Sequence, residues 1–247
     1  MPDDSFPVAT PGRLGFIRPV SFQSVGLKRL FREQGPLLIL IGLMFLIFFA
    51  QEAFGPLWYM NLMSVPADVM ESWNHLLEGR SSVADWKTFG TMLSYAFLHG
   101  DIEHITSNMT FFWIFGALLV ELLGWRWMLV LFVGTSIAAA ATHVGMHRDD
   151  LAPMLGASGA LMGFEGAYLG LAVRWKLPSP HIWPMSRPVT PGQLALLAVV
   201  GVCLDYLNLM SGDGERIAYG AHVGGFTMGL LLASTVIPKP KSAWAAR

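Results

Sequence analysis

Three short groups of residues in this sequence have the types and spacing that reacting chemistry needs. The first runs from His99 through Gly100, Asp101, Ile102, Glu103 and His104 to Asn108. His104 and Asn108 are four residues apart and so share a helix face. An imidazole N–H and an amide N–H on one face can stabilise a developing oxyanion. The same pair can also simply hydrogen-bond a neighbouring helix. His99 stands before the helix proper and reads as a structural loop contact rather than a catalyst. The second group is Gly156-Ala157-Ser158-Gly159. A serine at a helix start sits among free backbone N–H groups, where the helix dipole favours an anion. It becomes a nucleophile if a base reaches it. From the tetrapeptide alone, close packing of a small-residue face is the ordinary reading.

The third group is Ala221-His222-Val223-Gly224-Gly225, with Gly229 one turn on. Gly225 and Gly229 lie near the helix face of His222 and let another backbone approach closely. If that backbone carries Ser158, His222 is the candidate base. Asp205 is on another span and Asp213 is in a loop. A Ser–His dyad is therefore expected rather than a triad. Zinc is the competing chemistry for His99, Glu103 and His104, but no His-Glu-x-x-His is present. His143 and His147 precede Arg148-Asp149-Asp150 and read as a solvated loop face, while His75 and His181 have no motif around them. A lone cysteine, Cys203, excludes an intrachain disulfide and a multi-cysteine metal site. No metal site is expected.

The elements that must position these groups are membrane helices. Hydrophobic residues make up 53 % of the 247 residues, charged residues only 13 %, and the mean hydropathy is +0.50. Soluble domains carry about 25 % charged residues. A net charge of −1 gives no support to a nucleic-acid partner. Six segments have the length and apolarity of a span: about 36–54, 103–123, 125–143, 157–175, 191–210 and 219–237. Residues 1–35 read as a short basic arm without the apolar core of a cleavable signal peptide. Residues 36–237 form the helical domain and 238–247 a tail. The connection 55–98 is rich in aromatics, including Trp58, Tyr59, Trp73 and Trp86, and is expected to lie partly in the membrane interface.

With a cytoplasmic N-terminus, the inner segments hold twelve basic residues (Arg13, Arg18, Lys28, Arg29, Arg32, Arg126, Arg174, Lys176, Arg187, Lys239, Lys241, Arg247). The outer segments hold four (Arg80, Lys87, Arg148, Arg216). This bias puts both termini inside. Spans two, four and six then start at the outer face, so the three reactive groups share one depth. Polar side chains inside a membrane are costly and usually functional.

In this order and on these spans, the three groups resemble the rhomboid intramembrane serine proteases. Trp86-Lys87 is similar to a Trp-Arg pair in that family's first loop. The resemblance implies an all-α membrane protein, a six-transmembrane-helix rhomboid-type bundle with a long interfacial first loop. It implies Ser158 as nucleophile, His222 as base, and an oxyanion hole made by His104, Asn108 and the Ser158 backbone N–H. His99, Gly156, Gly159, Met162, Gly225 and Gly229 would support the site. Substrates would be transmembrane proteins in the lipid bilayer, with no cofactor. The expected location is a bacterial inner membrane, with the site opening to the periplasmic side.

Two residues depart from the pattern. Met162 stands where the family often places an aromatic against the histidine. A thioether can still pack on a ring. Glu165 lies within span four and Glu121 near the inner end of span two; the latter reads as structural. Two other classes compete with a protease. A non-catalytic relative that retains membrane clients would lack the serine or the histidine. A transporter would carry a midplane site and often an internal repeat; neither is visible.

Overall fold

The computed structural model describes residues 27–179, 190–211, 218–240 and 244–245. The expectations for Arg13, Arg18, His181, Arg187, Asp213, Arg216, Lys241 and Arg247 lie outside those residues. The described chain is mainly α-helical. Helix α1 spans Leu27–Phe54, α4 Ile102–Leu123, α5 Trp125–Met146, α6 Ser158–Arg174, α7 Pro191–Ser211 and α8 Tyr219–Thr235. Between α1 and α4 come two short helices, α2 (Pro66–Leu77) and α3 (Val83–Ser94).

α1 starts within the segment expected to be a separate arm and carries Pro36 inside it. Membrane helices tolerate such a proline. Its buried positions Leu37, Leu40, Met44 and Phe48 form one stripe, while Ile39, Leu43, Leu46 and Phe49 are exposed on the rest of its surface. An apolar face turned outward is costly in water and natural in lipid. α4 and α5 are joined by Gly124 alone, at φ +89°. Only glycine adopts that conformation without strain, so the chain reverses in one residue.

Among the described residues, three helical stretches are long and apolar enough to cross a membrane: Gln34–Phe54, Ile102–Leu123 and Trp125–Met146. α6 and α8 have 17 residues each, about 25 Å at 1.5 Å per residue. They are shorter than the roughly 20 residues a lipid-facing span needs. For α6 the setting supplies the reason. α6 is buried on nearly every side, from Gly159 to Leu171, and packs against α4, α5, α7 and α8. A helix enclosed by protein is released from matching the hydrocarbon thickness.

The connection 55–98 is folded rather than loose. Ser82 caps α3 by a reciprocal capping box with Asp85. His75 Nδ1 lies 2.8 Å from Asp85 Oδ1 and so ties α2 to α3. The backbone of Ser64 pairs with that of Met154, just ahead of α6. Leu57, Trp58, Trp73, Leu77 and Trp86 remain exposed on this connection. At the far end of α6, strand β1 (Trp175–Lys176) pairs antiparallel with β2 (Trp244–Ala245) of the tail.

Candidate active site

Ser158 is the first residue of α6, and His222 sits in the first turn of α8. His222 Nε2 lies 2.8 Å from Ser158 Oγ, across 64 residues of sequence. Glycines set that distance. A Cβ at Gly225 would fall on the carbonyl oxygen of Gly159, and one at Gly229 on that of Gly163. From the other helix, a Cβ at Gly166 would fall on the carbonyl oxygen of Phe226. The two backbones are in direct contact along one face, as small residues permit.

For Nε2 to accept the Ser158 hydroxyl proton, the neutral His222 ring must carry its proton on Nδ1. The aromatic ring beside it is Tyr219, one turn earlier on α8, edge-on with centroids 6.0 Å apart. Met162 stands where the resemblance would place an aromatic, and Tyr219 is a ring that the sequence analysis did not single out. Its only signal was the three-residue spacing to His222 within a helix.

The α4 residues stand on the other side of Ser158. Asp101 caps α4, its side chain accepting from the His104 backbone N–H at 2.7 Å. His104 Nδ1 accepts from the Gly100 N–H at 3.4 Å. That contact leaves Nε2 as the protonated, donating nitrogen. Asn108 is buried, and its Nδ2 has no acceptor among the described residues. Gly156 keeps the space in front of them open. It lies at φ +118°, and a Cβ there would come within 2.7 Å of His104 Cε1 and Nε2 and 3.8 Å of Asn108 Nδ2. Its own N–H donates to Tyr95 O at 3.0 Å, fixing the turn into α6. The structure thus gathers Ser158, His222, His104, Asn108, Gly156, Gly159 and Gly225 at one end of the bundle.

His99 lies just outside this group. It is buried, with its ring edge-on to His104 at 5.2 Å between centroids. Its backbone is held at both groups by the Gln51 side chain of α1, with His99 N–H donating at 3.1 Å and its carbonyl accepting at 3.2 Å. Met162 is half-buried on α6. Glu165 is buried farther along α6, and its Oε2 faces α7, 3.7 Å from where a Gly201 Cβ would be.

One expectation is corrected. His143 is not on a solvated face; it is buried. α5 runs on to Met146, past the expected end of the span. This carries His143 against α8 at Gly220, where a Cβ would lie 3.3 Å from its Nδ1. The His147 ring lies tilted against it, 4.4 Å between ring centroids. Among the described residues, no three His, Cys, Asp or Glu side chains form a metal-binding group. Beside the site, α7 and α8 part to leave an apolar groove of about 540 Å³. Cys203, Leu207, Val223, Phe226 and Leu230 are among its lining residues.

This arrangement can do acyl-transfer chemistry: a hydroxyl with an imidazole on one side, and N–H donors on the other. The sequence matches the family model of the Rhomboid domain over residues 86–239, more than half of the chain. The chain belongs to the rhomboid family. It is 31 % identical over 146 residues to "Rhomboid protein 1, mitochondrial" of Saccharomyces cerevisiae, covering 57 % of this chain and 40 % of that protein. It is 29 % identical over 141 residues to "Rhomboid protease GlpG" of Serratia proteamaculans, covering 57 % and 46 %. It is 26 % identical over 154 residues to "RHOMBOID-like protein 4" of Arabidopsis thaliana, covering 62 % and 35 %. The chain thus spans less than half the length of each of these relatives.

Proposed function

We propose that this integral membrane protein is an intramembrane serine endopeptidase that cuts membrane proteins in or near their transmembrane segments. The observation that carries the reading is the 2.8 Å contact between His222 Nε2 and Ser158 Oγ. In the reaction, Ser158 Oγ attacks the scissile carbonyl carbon while its proton passes to His222 Nε2. The carbonyl oxygen becomes an oxyanion that accepts from His104 Nε2–H, Asn108 Nδ2–H and the Ser158 backbone N–H. Collapse breaks the C–N bond, and His222 returns the proton to the leaving amine. Water, activated by the same histidine, then hydrolyses the acyl-enzyme.

The proposed topology is a six-span bundle of α1, α4, α5, α6, α7 and α8, with both termini cytoplasmic and the site opening to the outer side. The twelve-to-four bias of basic residues supports it. The apolar groove between α7 and α8 reaches Val223, the neighbour of His222. It supports substrates that approach from the bilayer. A bacterial inner membrane fits the similarity to the Serratia protease, although the relatives also include a protein named as mitochondrial.

The test is cleavage of single-span membrane proteins by the protein reconstituted in vesicles, paired with a fluorophosphonate probe. Cleavage together with labelling at Ser158 is the expected result. A wild-type protein that binds such substrates but neither cuts them nor takes the probe would instead make it a non-catalytic client-binding relative.

A further inference from the structure

α6 carries Ser158 at one end and a cluster of cations at the other. Sixteen residues separate Ser158 from Arg174, about 24 Å along the axis. The cluster therefore lies at the end of α6 remote from Ser158, and its residue types, a tryptophan among basic side chains, are those that gather at a membrane–water interface.

Trp175 organises the chemistry there. Arg174 Cζ lies 5.2 Å from the centre of its indole ring, and Lys239 Nζ also lies 5.2 Å from it. Lys176 is the next residue, exposed on β1. Each cation gains from the ring's quadrupole, yet two like charges on one ring repel each other. Among the described residues, none of the three pairs with a carboxylate. Part of the charge has a local use. Arg174 Nη1 donates to the carbonyls of Ala233 at 2.5 Å and Ile237 at 3.4 Å, at the end of α8. The ends of α6 and α8 together supply roughly one negative elementary charge. Three cations exceed that, and the remaining guanidinium N–H groups are still available to an acceptor. Buried beside them, Trp175 Nε1–H has no acceptor among the described residues. Val173 and Val236 flank the cluster and are exposed, 71 % and 60 % respectively. Cations with donors, an interfacial tryptophan and exposed valines together match an acidic headgroup followed by an acyl chain.

We propose that Arg174, Lys239 and the Trp175 indole, reinforced by the charge of Lys176, bind the phosphate of an anionic phospholipid. Neither the membrane site of Ser158 nor proteolysis enters the claim, so its test reads lipid alone. The purified full-length protein is delipidated in neutral detergent and given phosphatidylglycerol or phosphatidylcholine of the same chain length. Native mass spectrometry then counts retained lipid. Each basic residue near a charged headgroup is worth on the order of fivefold in affinity. Retention of phosphatidylglycerol by wild type should exceed that of phosphatidylcholine, and Lys176→Gln/Lys239→Gln should weaken it on the order of twentyfold. Arg174 is left intact because it also caps α8. Lys87→Gln/Arg148→Gln removes the same charge elsewhere and should leave retention unchanged. Equal loss in the two double variants, or equal retention of the two lipids, would overturn the proposal. A third arm adds inorganic phosphate in the millimolar range. Displacement of the lipid by phosphate at that concentration would assign the site to a soluble phosphate and overturn the lipid assignment.

Discussion

Gly225 on α8 rests directly on the carbonyl oxygen of Gly159 on α6, with no room for a Cβ between them. Gly159 follows Ser158, and Gly225 lies three residues after His222, so this backbone contact sets the separation of the Ser158 and His222 side chains. The obstacle is backbone, which cannot rotate aside as a side chain can. Gly225→Ala should destabilise the protein by about 1–3 kcal/mol and lower turnover. Gly225→Val should leave little activity. Melting temperature and single-turnover cleavage check this together. A fully active Gly225→Val protein would show that α6 and α8 do not need this contact.

Ser158 and His222 are expected to act as one unit. Ser158→Ala and His222→Ala should each reduce cleavage to background, and the double variant should be no worse than either, because losses within a nucleophile–base unit are not additive. Thermal melting should change little, since Ser158 and His222 are both only half-buried. Substantial cleavage by purified Ser158→Ala would remove the serine from the mechanism.

Asn108 offers a buried donor with no acceptor among the described residues. Its proposed acceptor exists only once the oxyanion forms. Asn108→Ala should therefore lower kcat by about a hundredfold and leave KM within about twofold. The loss is softened to the extent that His104 and the Ser158 N–H remain. A variant with raised KM and normal kcat would place Asn108 in substrate binding instead.

The three polar groups that meet at one end of the bundle, and the helices that carry them, were legible because each announces itself locally. A polar residue in an apolar run is conspicuous, and spacing alone puts His104 and Asn108 on one face. The bounds of α4, α6, α7 and α8 fall within two residues of the expected spans. What remained hidden depends on which helix meets which. His143 reads as the end of a span beside a charged loop. Only the contact of α5 with Gly220 shows it buried. Tyr219 lies three residues before His222 within the expected span 219–237, but spacing alone does not say that its ring packs against the histidine. The pairing of Trp175–Lys176 with Trp244–Ala245 joins segments nearly seventy residues apart and has no periodic signature.

Asp85 makes the folded connection between α1 and α4 sensitive to acid. Hydrogen bonds from the Ser82 hydroxyl and backbone N–H, and then from His75, hold its carboxyl well below the usual carboxylate range. A group whose folded-state pKa is depressed stabilises the fold fully above its unfolded value, about 3.9 for aspartate, and loses that contribution as pH falls toward the folded value. Asp85→Asn should lower the melting temperature at pH 7. The gap to wild type should stay constant down to about pH 5 and narrow below about pH 4. A gap that does not change with pH would mean that Asp85 acts through packing and not through its charge.

Glu165 is expected to serve the fold and not the reaction. It follows Ser158 by seven residues and returns to nearly the same helix face, but it lies about 10 Å farther along the axis. His222 stands opposite Ser158, at the start of α8. Glu165 turns its carboxyl toward α7, its Oε2 lying 3.7 Å from where a Gly201 Cβ would be, an ordinary van der Waals distance. Glu165→Gln keeps the size and hydrogen-bonding capacity of the side chain, and should retain turnover within about threefold, a difference of less than about 1 kcal/mol in barrier. Gly201→Leu would force a side chain into the space the carboxyl occupies. It should lower the melting temperature, as overpacking does. Cleavage rates and melting curves for both variants separate the two roles. A large loss of turnover in Glu165→Gln with unchanged melting would bring Glu165 into the mechanism.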